Sequence, residues 1–173
     1  MIKRLLTLIA IILSAVCSTY AQPCSTIPGM SPGNALPVCG TSVFHQDVVI
    51  NCSGNNVAQV GCSVGASSES SFWYKFTCFQ TGSLGFLISG ISSTDDYDWV
   101  LFDITGRNPN EVFSNSSLAI SINLYGAGNG PAPFPESPTG CRPGATGNVH
   151  CEGSDNGNTP FNAMPTITIG HSY

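Results

Sequence analysis

Basic side chains are almost missing from this chain. Five of its 173 residues are Lys or Arg, against ten Asp and Glu. Two of the five, Lys3 and Arg4, stand in the first four positions, which leaves Lys75, Arg107 and Arg142 for all that follows. Three scattered cations cannot build the basic face that a nucleic acid or an anionic membrane surface requires, so both are excluded as partners. Amphipathic helical periodicity is also missing. Catalytic signatures are absent as well: there is no G-x-S-x-G elbow and no H-E-x-x-H. No C-x2-C pair is present, and His150 beside Cys151 is a lone dipeptide, so a structural zinc site is excluded. His45, His150 and His171 are scattered, with nothing local to join any of them to a nucleophile and an acid. His45 and His171 read as surface or edge residues. Glu152 and Asp155 offer carboxylates for a glycosidase pair, but spacing along the chain does not set their separation. The expectation is a protein that is not an enzyme.

One long apolar run exists, and it lies at the N-terminus. Leu5 to Val16 is apolar apart from Thr7 and Ser14, follows Lys3 and Arg4, and ends before Thr19-Tyr20-Ala21. That is a signal peptide over residues 1–21 with cleavage after Ala21, and it is too short to span a bilayer comfortably. A lipoprotein reading through Cys17 is disfavoured, because Val16 is too bulky for the residue before a lipidated Cys. Residues 22–173 then carry three bases against ten acids, a net charge of −7. The expected location is secreted or cell-surface, with no membrane insertion after signal cleavage.

Cysteine is the abundant exception to this sparse chemistry. Cys24, Cys39, Cys52, Cys62, Cys78, Cys141 and Cys151 follow the signal, and in an exported chain they read as a disulfide framework. Economy of loop closure pairs Cys141 with Cys151 and Cys52 with Cys62. The odd count leaves one thiol free or partnered outside this sequence.

Strand signals have a period of two. Asp47–Asn51 (DVVIN), Phe72–Phe76 (FWYKF), Gly82–Ser89, Trp99–Ile104, Leu118–Leu124 and Thr166–Gly170 (TITIG) are expected strands, separated by Gly, Asn and Ser clusters. In the third, Leu84, Phe86 and Ile88 share one face. In the fifth, Leu118, Ile120, Ile122 and Leu124 oppose Ala119, Ser121 and Asn123. One helical turn is expected at Asn108-Pro109, with Asn108 as cap. The fold class is all-β, an antiparallel β-sandwich of jelly-roll type stapled by disulfides. Residues 22–38, with Pro23, Pro28, Pro32 and Pro37, form an extended leader, and the sandwich module covers 39–173. Tyr125–Pro165 reads as one long excursion. After TITIG no further strand follows, so the module is expected to be truncated, with an open edge beyond Ile167 and Ile169.

Two features bear on ligands. Asp95, Asp96 and Asp98 place three hard oxygen donors within four residues at the mouth of the Trp99 strand. Calcium is the cofactor such a loop would take; the alternative is an acidic turn whose carboxylates bond its own amides. Asp155, Asn156 and Asn158 are a weaker version of the same pattern. The long excursion carries Tyr125, Phe134 and Phe161, which either face a ligand or plug the core.

A resemblance sharpens this picture. SFWYKFT (Ser71–Thr77), GSLGF (Gly82–Phe86) and DYDWVLFDITG (Asp96–Gly106), in that order, resemble the N-terminal sandwich module of large secreted surface proteins of Bacteroidetes. Those proteins continue into PKD-like repeats and a gliding-motility-associated C-terminal sorting domain of the type IX secretion system. The order is also similar to bacterial pre-peptidase C-terminal domains, jelly rolls appended to secreted proteases. The likeness covers Asn34 to Tyr173 and marks a scaffold with no activity attached to its motif. It implies a non-catalytic extracellular module for adhesion or carbohydrate binding, with a glycan or a surface protein as partner. The alternative is an accessory domain of a secreted hydrolase whose catalytic part lies outside this sequence.

Overall fold

The strand centred on Trp99 organises the fold. In a computed structural model the described residues are 24–38, 40, 43–47, 52–58, 62, 66–92, 95–126, 137–151 and 159–173. Twelve short strands occur there: β1 Leu36–Pro37, β2 Asn56–Val57, β3 Ala66–Ser67, β4 Tyr74–Lys75, β5 Gly82–Ser83, β6 Phe86–Ile88, β7 Trp99–Phe102, β8 Ala119–Asn123, β9 Thr139–Cys141, β10 Val149–His150, β11 Phe161–Asn162 and β12 Thr166–Ile167. Helical structure among the described residues is confined to 3-10 turns, the longest being Pro109–Phe113. The all-β class is therefore seen.

Local signals were realised where expected. Leu84, Phe86 and Ile88 are half-buried, whereas Ser83, Gly85 and Leu87 are exposed. Asn108 caps its turn: its Oδ1 accepts from the Asn110 N–H at 3.0 Å, and its own N–H donates to Glu111 Oε1 at 3.1 Å. Of the expected Asp47–Asn51 strand, Asp47 carries no strand, and residues 48–51 lie outside the described residues.

The pairing is mixed rather than antiparallel. Four pairs run antiparallel (β2–β3, β5–β12, β6–β9, β7–β8), and three run parallel (β1–β4, β8–β10, β9–β11). Parallel neighbours need long crossovers, and the chain between Tyr125 and Pro165 supplies two of them. That region is consequently no single excursion, since it contributes β9, β10 and β11. In β8 the polar face is buried, with Ser121 and Asn123 both 0% exposed, because β11 packs over it. One apolar cluster joins Val57, Phe102, Val112 and Leu118, with Trp73, Val100 and Ile104 against it.

Both expected disulfides are corrected. The bonds are Cys24–Cys52 and Cys62–Cys151, with Cα separations of 6.0 and 5.5 Å. Cys52 precedes β2 while Cys62 lies in the connection from β2 to β3, so the two are not brought together as sides of a hairpin. Cys141 sits in β9 between β6 and β11 as a buried free thiol, while Cys151 is taken by Cys62. Cys78 is also free and buried, and Cys39 lies outside the described residues. Two disulfides are the chemistry of an oxidising environment. Among the described residues, no helix is long and apolar enough to cross a membrane.

The final segment also departs from expectation. TITIG is a strand only at Thr166–Ile167, which pairs with β5, and Ile169 is 62% exposed. A turn then closes with the His171 N–H donating to Thr168 O at 3.1 Å. Ser172 bridges Thr77, and Tyr173, buried, exchanges two 2.9 Å backbone hydrogen bonds with Phe76. β12 itself pairs with β5 alone, and beyond it the turn redirects the backbone toward the Phe76–Thr77 segment.

Candidate functional site

In the acidic cluster, Asp95 is bonded within its own loop. Asp95 Oδ2 accepts from the Ser92 N–H at 2.9 Å, while the Asp95 N–H donates to Ser92 O at 3.2 Å. That reciprocal closure is the acidic-turn arrangement, with the carboxylate used by its own loop. Asp96 lies over Gly126, where an added Cβ would come within 2.7 Å of Asp96 Oδ2. Among the described residues no three His, Cys, Asp or Glu side chains gather as metal ligands.

Two of the aromatic candidates of the long region, Tyr125 and Phe161, are buried. Tyr125 is 1% and Phe161 7% exposed, and the Arg142 guanidinium covers the Phe161 ring at 3.8 Å from its centroid. Both fill the interior. Phe134, Glu152 and the Asp155 to Asn158 set lie outside the described residues.

His150 is structural. Its Nδ1 accepts from the Thr159 N–H at 3.2 Å, so the proton sits on Nε2, which faces Thr146 O at 2.9 Å. His171, expected at the surface or an edge, has a 39% exposed side chain and meets a carboxylate: its Nδ1 is 2.7 Å from Asp103 Oδ2. Asp103 Oδ1 also accepts from the Thr105 hydroxyl at 2.6 Å and from the Thr105 N–H at 3.0 Å. Thr105 Oγ1 in turn accepts from the Ser172 N–H at 3.0 Å. Every group in this set is engaged in tying the turn after β7 to the last residues of the chain.

A cluster of partly exposed aromatic rings lies at the parallel pair of β1 and β4. Leu36 N–H donates to Trp73 O at 2.9 Å and Val38 N–H to Lys75 O at 2.8 Å. Pro37 falls between them, where the ladder asks for no N–H, so proline costs nothing in this strand. Strand alternation puts Phe72 and Tyr74 on one face and Lys75 on the other. Their ring centroids are 5.4 Å apart, and Phe44 packs on Tyr74 at 4.9 Å with the planes tilted by 50°. Phe72 is seated on Gly29, where a Cβ would lie 2.4 Å from its Cε1, so only glycine allows the ring to settle there.

These rings line an open trough of about 490 Å³ with Leu36, Pro37, Val38, His45 and Gln46. That volume is within the range of small-ligand sites, roughly 300–1,000 Å³. Phe44 is 54% and Tyr74 36% exposed. The Tyr74 hydroxyl donates to Gln46 Oε1. Partial burial pushes the Tyr74 phenol above its ordinary value, which keeps that proton in place. The lining holds no carboxylate, Lys or Arg, and its titratable side chains are His45 and Tyr74.

Sequence reasoning missed this trough. The signal that could have found it is FWYKF itself: a strand with aromatics at alternate positions 72, 74 and 76 and Lys75 among them has a ring-bearing face to place. Its partners, Leu36 and Phe44, come from a segment about thirty residues earlier, and no local pattern announces that pairing. In comparisons with protein-family models, curated proteins and solved structures, nothing matches this chain.

Proposed function

We propose that this chain is a non-catalytic binding module of an exported protein, a disulfide-stapled β-sandwich of jelly-roll kind acting in adhesion or carbohydrate binding outside the cell. The reading keeps the resemblance to the N-terminal modules of Bacteroidetes surface proteins as its family assignment and signal-directed secretion as its route. The observation that supports it best is the exposed aromatic trough, in which Phe44 and Tyr74 are held out to solvent on a stapled frame. Rings fixed in place before binding lose little conformational freedom on contact, which is how aromatic recognition surfaces work.

The experiment is binding of the oxidised chain to polysaccharide-coated and protein-coated surfaces, compared with Phe44→Ala and Tyr74→Ala variants. Retention that the two substitutions abolish, with no turnover of the bound polymer, is the expected result. Depolymerisation of a coated glycan would overturn the non-catalytic reading.

A further inference from the structure

We infer that the trough formed by Leu36, Phe44, Gln46, Phe72 and Tyr74 is a site for an uncharged pyranose unit of a neutral polysaccharide. This rests on the reading of the chain as an extracellular binding module and adds the location and chemical class of its ligand.

Shape and chemistry agree on a sugar. A pyranose presents C–H bonds on one face and hydroxyls around its rim. The electron-rich face of an aromatic ring attracts such C–H edges, and the hydroxyls need amide or hydroxyl partners. Phe44 and Tyr74 pack on each other with centroids 4.9 Å apart and planes tilted by 50°, and Phe44, 54% exposed, is the ring against which a pyranose would stack. Tyr74 Oη and the Gln46 amide stand at the rim, already linked to each other. The phenol oxygen that donates to Gln46 retains acceptor capacity for a sugar hydroxyl.

Charge decides the class. A uronate, sulfate or phosphate would need a cation at the trough, within a chain whose formal net charge is −5. Lys75 lies on the opposite face of β4, Arg107 is 3.8 Å from Glu111, and Arg142 lies 3.8 Å above the Phe161 ring. None of the cations that follow Arg4 lines the trough, and an anionic glycan would enter a field of its own sign. A neutral glycan meets no such penalty.

The test is affinity electrophoresis of the oxidised chain in gels containing neutral polymers (starch, mannan, xyloglucan) or anionic ones (alginate, polygalacturonate). At least one neutral polymer should retard the chain. Phe44→Ala and Tyr74→Ala should each weaken that retardation by about tenfold, and Tyr74→Phe by less, since only the hydroxyl is lost. Phe79→Ala, an 86% exposed aromatic outside the trough, should leave it unchanged. Should an alanine variant fail to fold, Phe44→Leu keeps the bulk, removes the ring face, and should still lose binding. Retardation by anionic polymers alone, abolished by the trough variants, would overturn the ligand class while leaving the module reading intact. Neutral binding that ignores Phe44 and Tyr74 would put the site elsewhere and overturn the inference. Light scattering that shows a dimer broken by Tyr74→Ala would make a second copy the occupant, and would also overturn it. No retention on any polymer would remove the inference and the carbohydrate reading together.

Discussion

Asp103 Oδ2 stands 2.7 Å from Nδ1 of His171, 68 residues further along the chain, and this contact binds the end of β7 to the final corner. Around it, the Ile104 N–H donates to Ser172 O at 2.9 Å and the Cys78 N–H to His171 O at 2.8 Å. The Phe76 and Tyr173 rings stack beneath at 5.3 Å. The last three residues are therefore held by backbone pairing, ring packing and one charge-assisted bond together.

That contact makes a pH dependence predictable. Burial on its own would raise the Asp103 carboxyl, but hydrogen bonds from Thr105 and His171 and the charge of His171 outweigh it and hold the carboxyl below its usual value. A depressed carboxyl stabilises the fold above the unfolded-state value, about 3.9, and that contribution is lost as pH falls through the folded value. Both side chains are partly open to water, at 27% for Asp103 and 39% for His171, so solvent screening limits the gain to about 1 kcal/mol or less. Asp103→Asn should lower Tm at neutral pH by a few degrees at most, and the gap to the parent should close below about pH 4. A gap that widens on acidification would contradict the sign.

Gly140 tests the register of the β6–β9 pair. It faces Leu87 across the ladder at φ +141°, and an added Cβ would lie 2.2 Å from the Phe86 carbonyl oxygen. Backbone cannot swing aside as a side chain would. Gly140→Ala should cost on the order of 2–4 kcal/mol, read as a drop in the denaturant midpoint. Gly82→Ala, with nothing within 4 Å of the added carbon, should stay within about 1 kcal/mol of the parent.

What could be read along the chain was what neighbours decide. The alternation of Leu84, Phe86 and Ile88 depends on strand pleating alone. The cap at Asn108 depends on a residue three places away. The strand at Trp99 needs only a run of apolar and aromatic side chains. Contacts decided by distant segments were not legible. The Cys62–Cys151 bond spans 89 residues, and Asp103 meets His171 only because the chain turns after Ile167. The trough was hidden for the same reason, since Phe44 and Tyr74 belong to segments joined by a parallel pairing that carries no hairpin signal. Ser121 and Asn123 lie opposite Ile122 and Leu124 on a face whose polarity would ordinarily mark solvent. Here it marks a buried hydrogen-bond network.

That network gives the next prediction. Asn162, 0% exposed, accepts from Asn123 Nδ2 at 2.6 Å, and its own Nδ2 lies 2.9 Å from each of Ser121 Oγ, Ile122 O and Asn148 O. Asn123 closes the set, with Nδ2 donating to Thr159 O at 3.0 Å and Oδ1 accepting from the Tyr125 N–H at 3.0 Å. One amide thus bolts β11 to β8 and to the approach to β10. Asn162→Ala would strand several buried polar groups at once, and each unmet group costs about 1–3 kcal/mol. The expected loss is about 3 kcal/mol or more, a fall of roughly 6–12 °C in Tm. A near-neutral Asn162→Ala would show that water replaces the amide.

The cysteines supply the most direct check on the fold. Non-reducing peptide mapping of the oxidised chain should recover Cys24 linked to Cys52 and Cys62 linked to Cys151. Recovery of Cys52–Cys62 or Cys141–Cys151 would require β9 and the β2–β3 connection to be placed differently. Cys141 should resist alkylation in the folded protein for two reasons. Its strand is paired on both sides, by β6 and β11, and its side chain is 2% exposed. Burial also pushes the thiol up to about 11, with a hydrogen bond to Ser121 offsetting only part of the effect, so almost no thiolate exists near neutral pH. Iodoacetamide should leave Cys141 unmodified until denaturant is added, and then label it at the rate of an ordinary thiol. Labelling of Cys141 in the native state, at a rate independent of denaturant, would mean that the β6–β9–β11 sheet is not closed around it.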